Sequence, residues 1–262
     1  KQKLDLALDH NETKRSYSEA KYSNAVSASA KNKLLDDEIS IYQSDDKAYN
    51  TYYKKAKRFR TSSGSTALSA LKKSGLKKGT IKKIKNLIKK GKEIPDTLLK
   101  AVKKKNSSLY NKLIDYNNNV DYVSDVLNEK NTAKEEAKTS IRDKRIQKIE
   151  NIQKHYENRI GKFNDEEQGI QNQIARMEAR GQTISADYYQ DQNKYEQKKR
   201  QEAVNEKNAV QRSLDEAMAK GDIKIYSDEW YEIQSTLQTL DNTINDCDIA
   251  IANNSSAIRE LH

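Results

Sequence analysis

From Trp230 to the end of the chain, residues of one seam recur at alternating steps of three and four. They are Trp230, Ile233, Leu237, Leu240, Ile244, Cys247, Ile251, Asn254, Ile258 and Leu261, all apolar except one Asn. Such steps average 3.5 residues, which holds a stripe on one helix face and does not fit a strand, whose side chains alternate by two. A stripe this narrow is buried only against another helix of the same kind. The last part of the chain is therefore a helix that needs a helical partner.

The same spacing recurs upstream. Leu109, Leu113, Tyr116, Val120, Val123 and Leu127 step by four and three, and Ile149, Tyr156, Phe163, Ile170 and Met177 follow at intervals of seven, widened by Ile152, Ile160 and Ile174. Gly161 and Gly169 weaken this run by about 1 kcal/mol each relative to Ala. The spacing predicts one helix over about 107–180, roughly 110 Å long at 1.5 Å per residue. "RGQTIS" at 180–185 reads as a turn, with Gly181 as C-cap and Ser185 or Thr183 as the next N-cap. A helix over 185–220 carries Tyr188, Tyr195, Val204, Val210, Leu214 and Met218 and stops at Gly221. Long helices joined by short turns lie antiparallel, so 107–262 reads as a coiled-coil hairpin region.

Composition points the same way. Two Phe, two Met and one Trp leave little with which to fill a thick core, and eight Gly with one Pro are too few for a turn-rich all-β fold. The expected class is all-α: long antiparallel coiled-coil helices with a basic short-helix insertion. Residues 1–60 form an N-terminal helical segment with a thin seam of Leu4, Leu8, Leu34 and Ile41. Residues 61–106 form the basic short-helix region. It opens on a breaker-rich stretch with Gly64, Gly75 and Gly79. A short stripe of Ile81, Ile84, Leu87 and Ile88 follows, closed by Gly91. Pro95 then starts a helix whose buried face is Leu98, Leu99 and Val102.

The net charge of +10 is concentrated in this region: residues 54–105 hold 19 Lys and Arg against Glu93 and Asp96. Such a block suits non-specific, salt-sensitive contact with a polyanion such as DNA, made by Lys72, Lys73, Lys77, Lys78, Lys82, Lys83, Lys85, Lys89 and Lys90. "GLKKGTIKK" lacks the spacing of a phosphate-binding loop, since Gly75 and Gly79 are too close.

Little else carries chemistry. Cys247 is the single cysteine, so no intramolecular disulfide forms, and its acidic neighbours Asp246 and Asp248 suit a core residue rather than a nucleophile. His10, His155 and His262 have no metal-ligand spacing and read as surface helix positions. No catalytic residue, cofactor, metal or small-molecule substrate is expected. No apolar run reaches the roughly 18–20 residues of a membrane span. "KQKLDLALDHNETKR" has no signal-peptide apolar core and reads as mid-helix, as in a segment of a longer chain.

"SDEWYEI" (227–233) holds the only tryptophan beside two acids, yet it reads as a helix start. Ser227 caps, Asp228 and Glu229 favour the positive helix end, Tyr226 packs on Tyr231, and Trp230 opens the seam.

With this helix start, the run "SADYYQDQNKYEQKKR…LDEAMAKGDIKIYSDEWYEIQSTLQTLDNTINDCDIAIANNSSAIREL" (185–261) resembles the repeat region of phage tail tape measure proteins from phages and prophages of Gram-positive bacteria. "IKKGKEIPDTLLKAVKKKNSSLYNKLIDYNNNVD" (88–121) is similar to the family's basic repeat, with a Gly-Lys turn, a short helix and a Tyr-Asn pair, here Tyr116 and Asn117. Pro95 departs from the Ser cap expected there. The resemblance implies a structural component of the virion tail, assembled in the host bacterial cytoplasm. Such a component sets tail length, fills the tail lumen and assists genome ejection. It also implies self-association and tail tube, tail tip and tail chaperone partners. A helical ruler must extend, which makes Gly181 and Gly221 candidate hinges between compact and extended forms. The alternative function is a non-specific nucleic-acid-binding coiled-coil protein acting through the block 54–105.

Overall fold

The computed structural model describes Lys1–Leu261; His262, and with it the reading of that residue as a surface position, lies outside the described residues. The fold is all-α. Among the described residues there are seven helices and no strand: α1 Gln2–Asn24, α2 Ala28–Leu71, α3 Lys78–Lys89, α4 Asp96–Lys103, α5 Ser107–Ala179, α6 Ala186–Ala219 and α7 Asp228–Glu260. None is long and apolar enough to cross a membrane.

The breaker-rich stretch is shorter than its glycines imply. Helix α2 runs straight through Gly64 to Leu71, and Gly79 lies in the first turn of α3, so the break is confined to 72–77. Packing explains Gly64. A Cβ there would meet Ile88 Cγ2 at 3.1 Å and Tyr116 Cε2 at 3.3 Å. Close approach of three helices, not a turn, requires the glycine, and burial around it outweighs its weak helix propensity of about 1 kcal/mol.

The chain divides into two compact units, Lys1–Tyr17 with Ser40–Thr139, and Ser18–Ile39 with the chain from Ser140 onward. This division does not follow the segments 1–60, 61–106 and 107–262, because α1, α2 and α5 each contribute residues to both units.

The first unit has two apolar clusters. One gathers Ala67 and Leu71 of α2, Ile84 and Ile88 of α3, Leu99 and Val102 of α4, and Leu109, Leu113 and Tyr116 of α5 around Ile94. Fully burying side chains of this size contributes about 1.5–3 kcal/mol each, enough to hold two short helices that would not persist alone. The other joins Leu4, Tyr52, Ala56, Val123 and Val126. Beside it the Tyr52 and Tyr122 hydroxyls are 2.6 Å apart and their rings meet edge to face.

In the second unit Ile149, Val210, Leu214, Ala217, Ile223, Ile233 and Leu237 form the core, with Trp230 packed against it. Helices α6 and α7 run antiparallel: Asn193 bonds Ser255, Arg200 pairs with Asp248 at 2.7 Å, and Lys207 pairs with Asp241. Helix α5 is antiparallel to α6 through Arg159–Glu202 at 2.5 Å and Lys199–Glu167 at 2.6 Å. The core-facing side of α6 is apolar from Val210 to Ala217 but buries Gln192, Glu196, Glu202 and Glu206 before it.

A candidate polyanion-binding surface

Helix α3 is built to turn one face inward and one outward. Ile84 and Ile88 are buried, while all nine lysines from Lys72 to Lys90 named above are exposed. Lys78, Lys82, Lys85 and Lys89 follow at steps of four, three and four, which places them on one face, about a third of a turn round the helix from the isoleucines. Among the described residues none of the nine forms an ion pair, so their charge is not neutralised within the protein. Lys100, Lys103, Lys104 and Lys105 are also exposed on and just after α4, and Lys103 Nζ lies 5.1 Å from the centre of the Tyr110 ring.

The connection from α3 to α4 is held from beneath. Gly91, at φ +66°, closes a Schellman cap: its N–H bonds Ile88 O at 3.0 Å and Lys92 N–H bonds Leu87 O at 3.0 Å. The Tyr116 hydroxyl lies 3.1 Å from the Lys92 carbonyl oxygen. Asn117 holds both backbone groups of Ile94. Pro95 stands at the N-cap of α4, its carbonyl accepting from Leu98 and Leu99, and Asn106 Oδ1 caps α5 through Leu109 N–H. The lysines of α3 and α4 are thus displayed on a fixed frame.

One contributor has no signal in the linear sequence. Arg60 comes from α2, yet it lines a cleft of about 280 Å³ with Thr61, Ser65, Lys89, Lys90 and Gly91, and no carboxylate lines that cleft. A Cβ at Gly91 would lie 2.9 Å from Arg60 Cζ, so the guanidinium rests against the turn. Burial pushes the Tyr116 phenol above its ordinary pKa, and Arg60 partly offsets this.

The remaining singled-out residues lie in the second unit. Ile233, Leu237, Leu240 and Cys247 of α7 are buried, whereas Trp230, Ile244, Ile251 and Ile258 are half-buried. Burial, and then Glu196, pushes the Cys247 thiol up to about 12. Gly181 and Gly221, at φ +61° and +74°, close Schellman caps like that of Gly91. Ser185 and Ser227 accept from Asp187 N–H and Trp230 N–H as N-caps. The Tyr226 ring packs on those of Trp230 and Tyr231, at 5.5 and 6.3 Å between centres, from a backbone at φ 67°. No group of three or more His, Cys, Asp or Glu side chains among the described residues is placed to hold a metal ion. The chain matches no family model, no curated protein and no solved structure.

Proposed function

We infer that this chain is a helical segment of a phage tail tape measure protein, a non-enzymatic component of the virion tail that sets tail length, occupies the lumen and assists genome ejection. Self-association and contacts with tail tube, tail tip and tail chaperone proteins follow from that role. The observation that carries the reading is the construction of the segment that resembles the family. Capped turns at Gly181 and Gly221 join α5, α6 and α7, and half of the α6 core face is polar. Helices held by such a core separate at low cost, and a glycine that leaves the left-handed region continues a helix. Released from packing, 262 residues reach about 390 Å at 1.5 Å per residue.

The test is genetic and visual. Deleting 182–261 in the virion-producing strain shortens tails by about 120 Å at helical rise, measured by electron microscopy. Tails of unchanged length overturn the reading. A cysteine pair replacing Arg200 and Asp248 adds the state of the chain. A disulfide formed within one chain in finished tails excludes the extended form.

The unpaired lysines of the first unit favour a second reading, non-specific nucleic-acid contact through residues 54–105. A steep loss of DNA affinity with salt supports it.

A further inference from the structure

The geometry points to a more specific partner for the basic surface: α3 lies along the phosphate backbone of double-stranded nucleic acid, with Lys78, Lys82, Lys85 and Lys89 on its phosphates and Arg60 with Lys90 receiving one more at the cleft. This rests on the second reading above and narrows it.

The shape of the charge is the first argument. The four lysines occupy one face over about 16 Å at 1.5 Å per residue, and the adjoining buried face anchors the helix through Ile84 and Ile88. Each strand of a duplex carries about one charge per 3.4 Å of axis, so such a stripe finds several phosphates within reach. The four side chains have no competing carboxylate. Glu93 and Asp96, the acids of the block, lie in the α3–α4 connection and at the start of α4.

What accompanies the lysines narrows the partner. Residues 72–105 contain no Phe, Tyr or Trp, so α3 and α4 carry no platform on which unpaired bases could stack, and stacking is what single-strand binders use; the exposed Phe59 belongs to α2. None of the large exposed apolar side chains falls in this span, so nothing inserts into a lipid interface as membrane-surface helices do. Arg60, held against the turn at Gly91, is the single arginine of this surface, and no other occurs between residues 61 and 141. Lysine is a point charge rather than the planar fork that reads guanine edges, which leaves binding without sequence preference. The combination of dense lysine, a rigid frame, and no aromatic or exposed apolar wedge on α3 and α4 fits a duplex backbone.

The experiment uses the full chain and fluorescence anisotropy. The probes are two unrelated duplexes of about 20 base pairs, a single strand of equal length, phosphatidylserine vesicles and heparin. The expected result is equal affinity for both duplexes and weaker binding to the single strand and vesicles. The log–log salt slope on duplex is roughly −3.6 to −4.5 for four or five phosphates. The variant K78Q/K82Q/K85Q/K89Q, its helicity checked by circular dichroism, binds duplex at least about tenfold more weakly with the slope flattened by about 3 to 4. Duplex affinity within twofold of the parent overturns the inference, as does tighter binding to the single strand or to vesicles. Single-strand binding that the variant loses, with no duplex binding, overturns the duplex and leaves the second reading standing, whereas heparin binding with none to either nucleic acid overturns both. No binding to any probe overturns both.

Discussion

The side-chain amide of Asn117 accepts from the N–H of Ile94 and donates to its carbonyl, both at 2.9 Å. One side chain thereby satisfies both polar groups of a backbone position that is completely buried. It replaces the ladder partner that an irregular connection lacks. Because Ile94 sits between α3 and α4, this pair ties the basic surface to α5.

Removing that amide should be costly out of proportion to its size. Asn117→Leu leaves a donor and an acceptor buried without partners, at about 1–3 kcal/mol each. The expected loss is about 3 kcal/mol or more in urea unfolding, with faster amide exchange at Ile94. Asn117→Asp keeps an acceptor but turns an oxygen toward the Ile94 carbonyl, and it should be no better. A loss under about 0.5 kcal/mol would show that the frame does not depend on this contact.

Two classes of helix glycine should respond in opposite directions. Gly161 lies in α5 with open space where a methyl group would stand, so Gly161→Ala should stabilise by about 0.5–1 kcal/mol. Gly64 faces Ile88 and Tyr116, so Gly64→Leu should destabilise by about 1–3 kcal/mol or more through overpacking. Thermal unfolding followed by circular dichroism separates them.

The second unit should weaken as pH rises from about 5 to 7. Glu206 is 2% exposed and its Oε2 has no hydrogen-bond partner. Burial, and then Glu157 across on α5, pushes its carboxyl up to about 7. Nearby cations are engaged elsewhere, Arg159 by Glu202 and Lys207 by Asp241. A folded pKa above the unfolded one means that the folded state holds the proton more tightly, so the stabilisation is present at pH 5 and lost by about pH 7. Glu167, raised to about 7 by burial, adds in the same sense despite Lys199. Glu196 is lowered and opposes both. Glu206→Gln should flatten the profile and stabilise at pH 8 by about 2–3 kcal/mol, with little gain at pH 5. Trp230 fluorescence reads it, because that ring packs on this unit's core.

Cys247 should be silent in the folded protein. It is fully buried and its thiol is pushed up to about 12, so almost no thiolate is present at neutral pH. Reaction with an aromatic disulfide reagent should be slower than in urea by two orders of magnitude or more and should follow separation of α6 from α7. Rapid stoichiometric labelling without denaturant would contradict this packing.

Much of the helix inventory is readable from spacing, capping and glycine punctuation. The bounds of α5, α6 and α7, and the caps at Ser185 and Ser227, follow from local rules that need no knowledge of the rest of the chain. Gly64 is the instructive exception. Its propensity marks a break, and only its closeness to Ile88 and Tyr116 reveals a packing contact. The break between α1 and α2 at 25–27 has no Gly or Pro to announce it.

The helical class, the heptad seam of α7 and the concentration of positive charge in 54–105 are legible from the residues alone, because periodicity and charge are properties of neighbours along the chain. Tertiary structure alone decided that Arg60 joins Lys89 and Lys90 at one cleft, that Asn117 reaches the backbone of Ile94, and that Glu206 lies buried without a counter-ion. Those relationships depend on which helices meet and in what register. That choice is set by the summed burial of many apolar side chains, and no single position in the sequence encodes it.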